Sequence, residues 1–203
     1  LALFSSGHPD RYALCITIGN YQSVSRNIWD KTSANNDWEL IKKILPLKGF
    51  SNEKIYLLKD SDATKLKIES GLDNLKEKVS TGDNVLIYVS ALGELLVDDN
   101  GDEADGLDEA IVPYNAVYSA DPMRYKEFEQ GYLRDDILKQ KIADIRNKVG
   151  QNGAVLVVLD LCYSANNKFL HAEKIVRGDK APMVSRGYNK SNFLPNDDNE
   201  PTP

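Results

Sequence analysis

Histidine and cysteine are scarce in this chain, and these residues carry out much of the acid–base and nucleophilic chemistry of hydrolytic enzymes. Among 203 residues there are two histidines, His8 and His171, and two cysteines, Cys15 and Cys162. Two cysteines exclude a disulfide framework and a zinc site built from cysteines. We expect both thiols to stay reduced. Only these two cysteines are available for thiol chemistry.

The chain also lacks long apolar runs and an excess of positive charge. No apolar run approaches the roughly 20 residues that a membrane-spanning helix needs, and the first residues show no signal-peptide pattern. Lysine and arginine number 25 against 31 aspartates and glutamates, a net charge of −6, and no basic patch suits nucleic acid. We therefore expect a cytoplasmic protein that binds neither nucleic acid nor membranes.

The apolar residues alternate with amphipathic stretches along the chain. Short apolar runs predict four strands, and apolar residues at helical spacing predict three helices. Because such alternation favours parallel pairing, we expect an α/β fold with a mainly parallel, twisted sheet and helices on both faces. The acidic stretch 94–114 predicts a loop or hairpin. The predicted strands span 12–18, 53–60, 83–90 and 154–162, and the predicted helices span 33–45, 61–79 and 133–149.

Two of these predicted elements give expectations for single residues. Cys15 lies in the middle of the first strand and is expected to be a core residue. Asp62 or Thr64 is suited to open the second helix. The apolar stripe of that helix is expected to consist of Leu66, Leu72, Leu75 and Val79.

Six short motifs occur in order along the chain: YALCITIGNY, SANNDW, SALG, NGDEADGLDEAIVP, LRDDIL and DLCYSA. Together they resemble caspase-like cysteine peptidases, nearest to the metacaspases and bacterial orthocaspases. The match covers 12–165 and implies a three-layer caspase-like fold. It implies a large-subunit domain at 12–170, a preceding tail at 1–11, and a partly disordered linker or activation-loop-like segment at 171–203.

The resemblance also assigns the catalytic positions. In that family, the histidine of an SGHG motif is the general base and the cysteine of a DSCHSG motif is the nucleophile. The match puts Leu92 at the histidine position and Cys162 at the cysteine position, and the N–H groups of Gly93 and Cys162 at the oxyanion hole. A leucine neither accepts nor donates a proton. Tyr163, beside the nucleophile, is a poor base at neutral pH.

Two aspartates match the substrate pocket of the family. Metacaspases prefer Arg or Lys before the cleaved bond, and the resemblance puts the acidic pocket residues at Asp37 and Asp160. Two carboxylates suit a guanidinium, which presents paired donors. Asp37 equally suits helix capping without a ligand.

The resemblance further implies calcium, which several metacaspases bind through aspartates. The matching positions are Asp108, Asp135 and Asp136, and three carboxylates can begin such a site. Phe169 stands at the position of the fourth aspartate. The same stretch also suits a solvated acidic hairpin without a cation, with Asp135 near a helix N-terminus.

Three functions are therefore open. The first is a non-catalytic pseudopeptidase that binds partner proteins, basic peptides, a small-subunit segment or an active homologue. The second is an active Arg/Lys-specific cysteine endopeptidase with a rearranged base, for which His171 is a candidate. The third is an unrelated doubly wound binding domain, which the ordered motifs and the lack of a glycine-rich phosphate loop disfavour.

We predict that the chain hydrolyses Arg- and Lys-ended fluorogenic peptides at no more than a trace rate. Loss of one member of a catalytic pair typically lowers the rate by several orders of magnitude. The measurement is turnover at pH 7 by the unaltered chain and by the Cys162→Ala variant. Robust turnover that Cys162→Ala abolishes would contradict the prediction.

Overall fold

The computed structural model describes residues 9–22, 32–103, 106–117 and 128–162. This part of the chain contains both strands and helices, which confirms the α/β class. The strands are β1 (Arg11–Thr17), β2 (Ile55–Lys59), β3 (Asn84–Val97), β4 (Leu107–Ile111), β5 (Leu133–Arg134) and β6 (Ala154–Cys162). The helices are α1 (Ala34–Leu47), α2 (Lys65–Lys78) and α3 (Asp135–Val149).

The six strands form one mixed sheet, in the order β2-β1-β3-β4-β5, with β6 paired to β3. β1 pairs in parallel with β2 and β3, and β6 pairs in parallel with β3. β4 pairs antiparallel with β3 and with β5. The described sheet thus joins a parallel region around the first half of β3 to an antiparallel region around its second half.

β3 is longer than the sequence predicts. The predicted strand ends at Ser90, whereas β3 runs on to Val97, so that Leu92 and Gly93 lie inside a strand and not in a loop after one. The reason is that the apolar residues after Gly93 pair with β4. The hairpin predicted for the acidic stretch is present, with β3 ending at Val97 and β4 beginning at Leu107.

Alternate residues of β1 face different helices. Ala13 and Cys15 lie in a core cluster with Leu45 of α1, whereas Leu14 and Ile16 lie in a cluster with side chains of α2 and α3. Successive side chains of a strand point to opposite faces, so one strand supplies both clusters. Cys15 is a core residue as predicted, and burial raises the pKa of its thiol to about 12.

Helix α2 begins after Thr64, whose side chain accepts a hydrogen bond from the Lys67 N–H. Its buried stripe contains Leu72, Leu75 and Val79 as predicted. The fourth member is Ile68, because positions 68, 72, 75 and 79 share one face at helical spacing. The prediction of Leu66 was wrong: that side chain is 73% exposed.

β6 leaves apolar side chains uncovered. Leu156 is 60% exposed and Leu159 is 48% exposed, and within the described residues β6 pairs with β3 alone. A cleft of about 550 Å³ separates Leu156 and Val158 from Ile41 and Ile44 of α1. None of the described helices is long and apolar enough to cross a bilayer.

We predict that Leu72→Ala lowers the free energy of unfolding by about 2–5 kcal/mol, because it leaves a cavity in the core. Leu66→Ala, on the same helix, is the matched control and is expected to change stability by less than about 0.5 kcal/mol. Urea unfolding followed by circular dichroism measures both. Equal effects of the two substitutions would contradict the assigned face of α2.

Candidate functional site

The structure brings together the two positions that the resemblance assigns to base and nucleophile. Leu92 in β3 and Cys162 at the end of β6 are register partners in a parallel pair. Paired strands lie about 4.8 Å apart. The expected placement of these two residues side by side is therefore present, although Leu92 lies within β3 and not at its end.

Leu92 is fully buried in an apolar cluster. Both polar groups of its backbone form hydrogen bonds. The N–H donates to the Tyr21 hydroxyl oxygen at 2.7 Å, and the C=O accepts from the Val112 N–H at 3.0 Å. A protonated histidine would be destabilised at this position, because burial disfavours the charged form. The cluster around Leu92 consists of Leu96, Ala110, Val112, Ala116 and Tyr132.

The Gly93 N–H points towards the edge of β3 on which β6 lies. Along a strand, successive N–H groups point to alternate edges. The Leu92 N–H and C=O are both engaged on the side of Tyr21 and Val112, so those of Gly93 are directed to the other side. That direction suits the oxyanion role, which stays a prediction.

Glu94 is a buried carboxyl that the sequence reasoning missed. It is fully buried, its Oε1 accepts from the Leu95 N–H at 3.0 Å, and its register partner is Ala110. It lies two residues from Leu92, on the same face of β3. A charged residue within the apolar run LGELLV was the available signal.

A polar row crosses the sheet two register pairs before Leu92 and Cys162. Ser90 is the register partner of Thr17 on one side and of Asp160 on the other. In-register parallel neighbours project to the same face of a sheet. Ser90 Oγ also donates to Asp37 Oδ2 at 2.9 Å. Asp37 and Asp160 thus both lie next to one serine, Asp37 through this hydrogen bond and Asp160 as the register partner.

The members of this polar row differ in burial. Thr17 and Ser90 are fully buried, whereas Asp37 and Asp160 are partly exposed. Thr17 Oγ1 has no hydrogen-bond partner within the described residues. The N-cap position of α1 is Ser33, and Asp37 lies in the first turn. Asp37 therefore does not cap the helix.

Asp60 fixes the loop that follows β1, and the sequence reasoning missed it. Its Oδ1 accepts from the N–H groups of Gly19 and Asn20 at 2.8 and 2.9 Å. Its Oδ2 accepts from the side-chain amides of Asn20 and Asn35, each at 3.1 Å. Asp60 itself has a left-handed φ of 46°. One carboxylate thus ties the end of β1 to the start of α1.

The calcium ligands implied by the resemblance are close together but are partly engaged. Carboxylate oxygens of Asp108, Asp135 and Asp136 lie within 4.8 Å of one another. However, Lys139 Nζ is 2.6 Å from Asp135 and 3.9 Å from Asp136. Arg134 binds Asp108. Two cations already offset this triple, so it fits a calcium ion poorly.

Several predicted positions lie outside the described residues. These are His8, Tyr163, Phe169, His171 and the segment 171–203.

Comparison with solved structures finds proteins of similar fold. No protein-family model and no curated protein matches the chain. The fold is similar to the crystal structure of protein GSU0716 from Geobacter sulfurreducens, with 22% sequence identity and a TM-score of 0.59. The match covers 78% of this chain and 52% of that one, so this chain spans about half the length of its relative. At this identity the likeness shows a shared fold alone.

We predict that Asp60→Asn lowers the free energy of unfolding at pH 7 by roughly 1–2 kcal/mol, because charge-assisted hydrogen bonds become neutral ones. Asparagine tolerates the left-handed backbone of this position. Asp62→Asn is the control, since that side chain is 63% exposed and pairs with Lys67 at the surface.

The pH dependence of the Asp60→Asn effect follows from the pKa of Asp60. Burial alone would raise that pKa, but hydrogen bonds from Asn20, Asn35 and Gly19 outweigh burial and lower it. The contribution of the charge is therefore complete above the unfolded-state value of about 3.9 and is lost as the pH falls through the folded-state pKa. Denaturant unfolding between pH 7 and pH 3 measures this, and a difference that grows with acidity would contradict it.

Proposed function

We propose that this chain is a caspase-like domain, nearest to the metacaspases and bacterial orthocaspases, that binds Arg- or Lys-containing proteins or peptides without cleaving them. Six motifs in family order support the assignment. The register of β3 and β6 supports it further, because it juxtaposes the positions that the family uses as base and nucleophile. Contacts of helices with both faces of the sheet are compatible with a three-layer caspase-like fold.

One observation carries the proposal of lost catalysis. Leu92, at the base position, is fully buried in an apolar cluster. A thiol of ordinary pKa near 8.5 is only a few per cent thiolate at pH 7. Without a neighbouring base, Cys162 has no group at this position to take its proton or to protonate a departing amine.

The polar row supports the retained recognition of a basic side chain. Asp37 and Asp160 both lie next to Ser90, and the Ser90 hydroxyl donates a hydrogen bond to the Asp37 carboxylate. A guanidinium presents donors in a planar fork and is best matched by more than one carboxylate oxygen. Partial burial strengthens such a pairing, because the local dielectric is lower than that of water.

An active endopeptidase with a rearranged base is the alternative, and one observation favours it. Glu94 places a fully buried carboxyl two residues from Leu92 on the same face of β3. A carboxylate can act as a general base where it lies within hydrogen-bond reach of the proton that it removes. Turnover of an Arg substrate that both Glu94→Gln and Cys162→Ala abolish would establish this alternative in place of the first.

The resemblance also predicts a small-subunit segment or an active homologue as a partner. β6 exposes Leu156 and Leu159. Such a partner would extend the described sheet next to β6.

We predict that an unmodified peptide ending in Arg binds the chain, and that Asp160→Asn weakens this binding at least tenfold, about 1.4 kcal/mol. The substitution removes a charge and keeps the side-chain size. Isothermal titration calorimetry at low ionic strength measures the affinity.

Two comparisons make that titration specific. Glu39→Gln is the control, because Glu39 lies on the same helix as Asp37 but pairs with Lys42 at the surface. A peptide that ends in alanine in place of Arg tests the side chain. Equal affinity of the Asp160→Asn and Glu39→Gln variants would contradict the pocket.

A further inference from the structure

Strand β2 lies at an edge of the described sheet. Within the described residues it pairs with β1 alone, in parallel register. Its sequence is IYLLK, so its only charged side chain is that of the last residue, Lys59. An edge strand presents unpaired N–H and C=O groups with which another strand can pair, and natural proteins usually cover or charge such an edge. The edge of β2 is therefore a candidate interaction surface.

The pairing of β1 shows which backbone groups of β2 face outward. Directly after β1, the Ile18 N–H donates to the Ser90 C=O of β3 at 2.9 Å. Cys15 lies three residues earlier, and successive residues of a strand point their backbone groups to alternate edges, so those of Cys15 point towards β2. The register partner of Cys15 is Leu57. In a parallel pair Cys15 bonds to the residues before and after that partner, and Leu57 itself faces outward.

The outward groups of β2 belong to alternate residues, which are Ile55, Leu57 and Lys59. The Ile55 N–H is already engaged, because it donates to the Asn52 C=O of the preceding turn. The outer edge thus presents the C=O of Ile55 and both backbone groups of Leu57 and Lys59. Among the described residues, no turn or loop bonds to these groups.

We propose that two copies of this chain associate through antiparallel pairing of their β2 strands about a two-fold axis at Leu57. Two residues directly opposite in an antiparallel pair can exchange both hydrogen bonds, and the two Leu57 residues would do so. The Lys59 N–H of each copy would donate to the Ile55 C=O of the other. The edge is thus complementary to itself, as a two-fold interface requires. Lys54 and Asp60, which flank the strand, would align with opposite charges across the axis.

The side chains beside this edge also suit a second copy. With Leu57 on the axis, Tyr56 of each copy would stand opposite Leu58 of the other, and apolar cross-strand pairs stabilise a sheet. Both residues line a cleft of about 550 Å³ between β2 and α2. Gly71 of α2 also lines the cleft, and its lack of a side chain leaves room there for the incoming leucine.

The expected dimer is weak, because a strand of five residues gives a small interface. It forms at a different strand from the one at which a small-subunit segment would add, since that partner lies next to β6. The inference does not depend on peptide binding or on catalysis.

The test combines analytical ultracentrifugation of the full chain over a range of concentrations with amide hydrogen exchange followed by NMR. We expect an equilibrium between monomer and dimer. The amides of Leu57 and Lys59 should exchange about tenfold more slowly once about 90% of the chain is dimeric, because only the monomer exposes them. The amides of Tyr56 and Leu58, which bond to β1, are the internal control and should be protected at every concentration.

A matched pair of variants tests the backbone contact. Lys59→Pro removes an outward donor without removing a hydrogen bond within the monomer, and proline is tolerated at such positions of edge strands. It is expected to weaken dimerisation at least about tenfold. Lys59→Ala removes the same side chain but keeps the N–H, and is expected to dimerise like the unaltered chain.

Concentration-dependent protection of Leu57 and Lys59 supports the proposal even if Lys59→Pro folds poorly. A chain that stays monomeric up to about 1 mM would overturn it. A dimer in which both amides still exchange quickly would place the interface elsewhere and overturn it as well. Equal weakening by Lys59→Pro and Lys59→Ala would do the same, since the side chain and not the N–H would then be responsible.

Discussion

The rest of the structure depends on the way β3 is paired. Its first half lies between β1 and β6 in parallel register, and its second half pairs antiparallel with β4. A shift of one residue in a strand would exchange its buried and exposed faces. This strand therefore fixes, in a single register, the polar row at Ser90, the apolar position at Leu92 and the acidic turn after Val97.

Leu92 is fully buried among apolar side chains, which suit an apolar residue at this position. The side chain packs with Leu96 and Val112, and its N–H is held by Tyr21. A charge at this position would need a partner or water. The side chains around Leu92 are those of its apolar cluster. An apolar residue at position 92 is thus part of the packing of the cluster and is not a surface feature.

The order of elements was predictable because apolar periodicity is strong in this chain. The run from Val155 to Leu161 and the stripe of Leu72, Leu75 and Val79 each show their period in the sequence. Leu66 was assigned wrongly because it is apolar but lies off the helical spacing that relates Ile68 to Leu72, Leu75 and Val79. The extension of β3 past Ser90 depends on pairing with β4, which is a tertiary effect that overrides local pattern.

The candidate site was predictable only in part, for a related reason. Motif order predicted Leu92, Cys162, Asp37 and Asp160 as site positions. Strand register then pairs Leu92 with Cys162 and Ser90 with Asp160, and Asp37 accepts a hydrogen bond from Ser90. Asp60 and Glu94 were missed because their importance rests on contacts between distant segments: Asp60 binds the loop after β1, 40 residues earlier in the chain. The ion pair between Asp135 and Lys139 could not be predicted either. Acidic residues on a solvated helix face and acidic residues of a metal site look the same in a sequence.

The pairing of Ser90 with Asp160 has a consequence for how the molecule folds. These two positions are register partners, yet 70 residues separate them along the chain, so the contact is of high sequence separation and slow to form. During synthesis, β1 and β3 emerge well before β6. The polar row is thus among the last features to be assembled, and an incompletely folded chain would carry Asp37 and Ser90 without the strand that contributes Asp160.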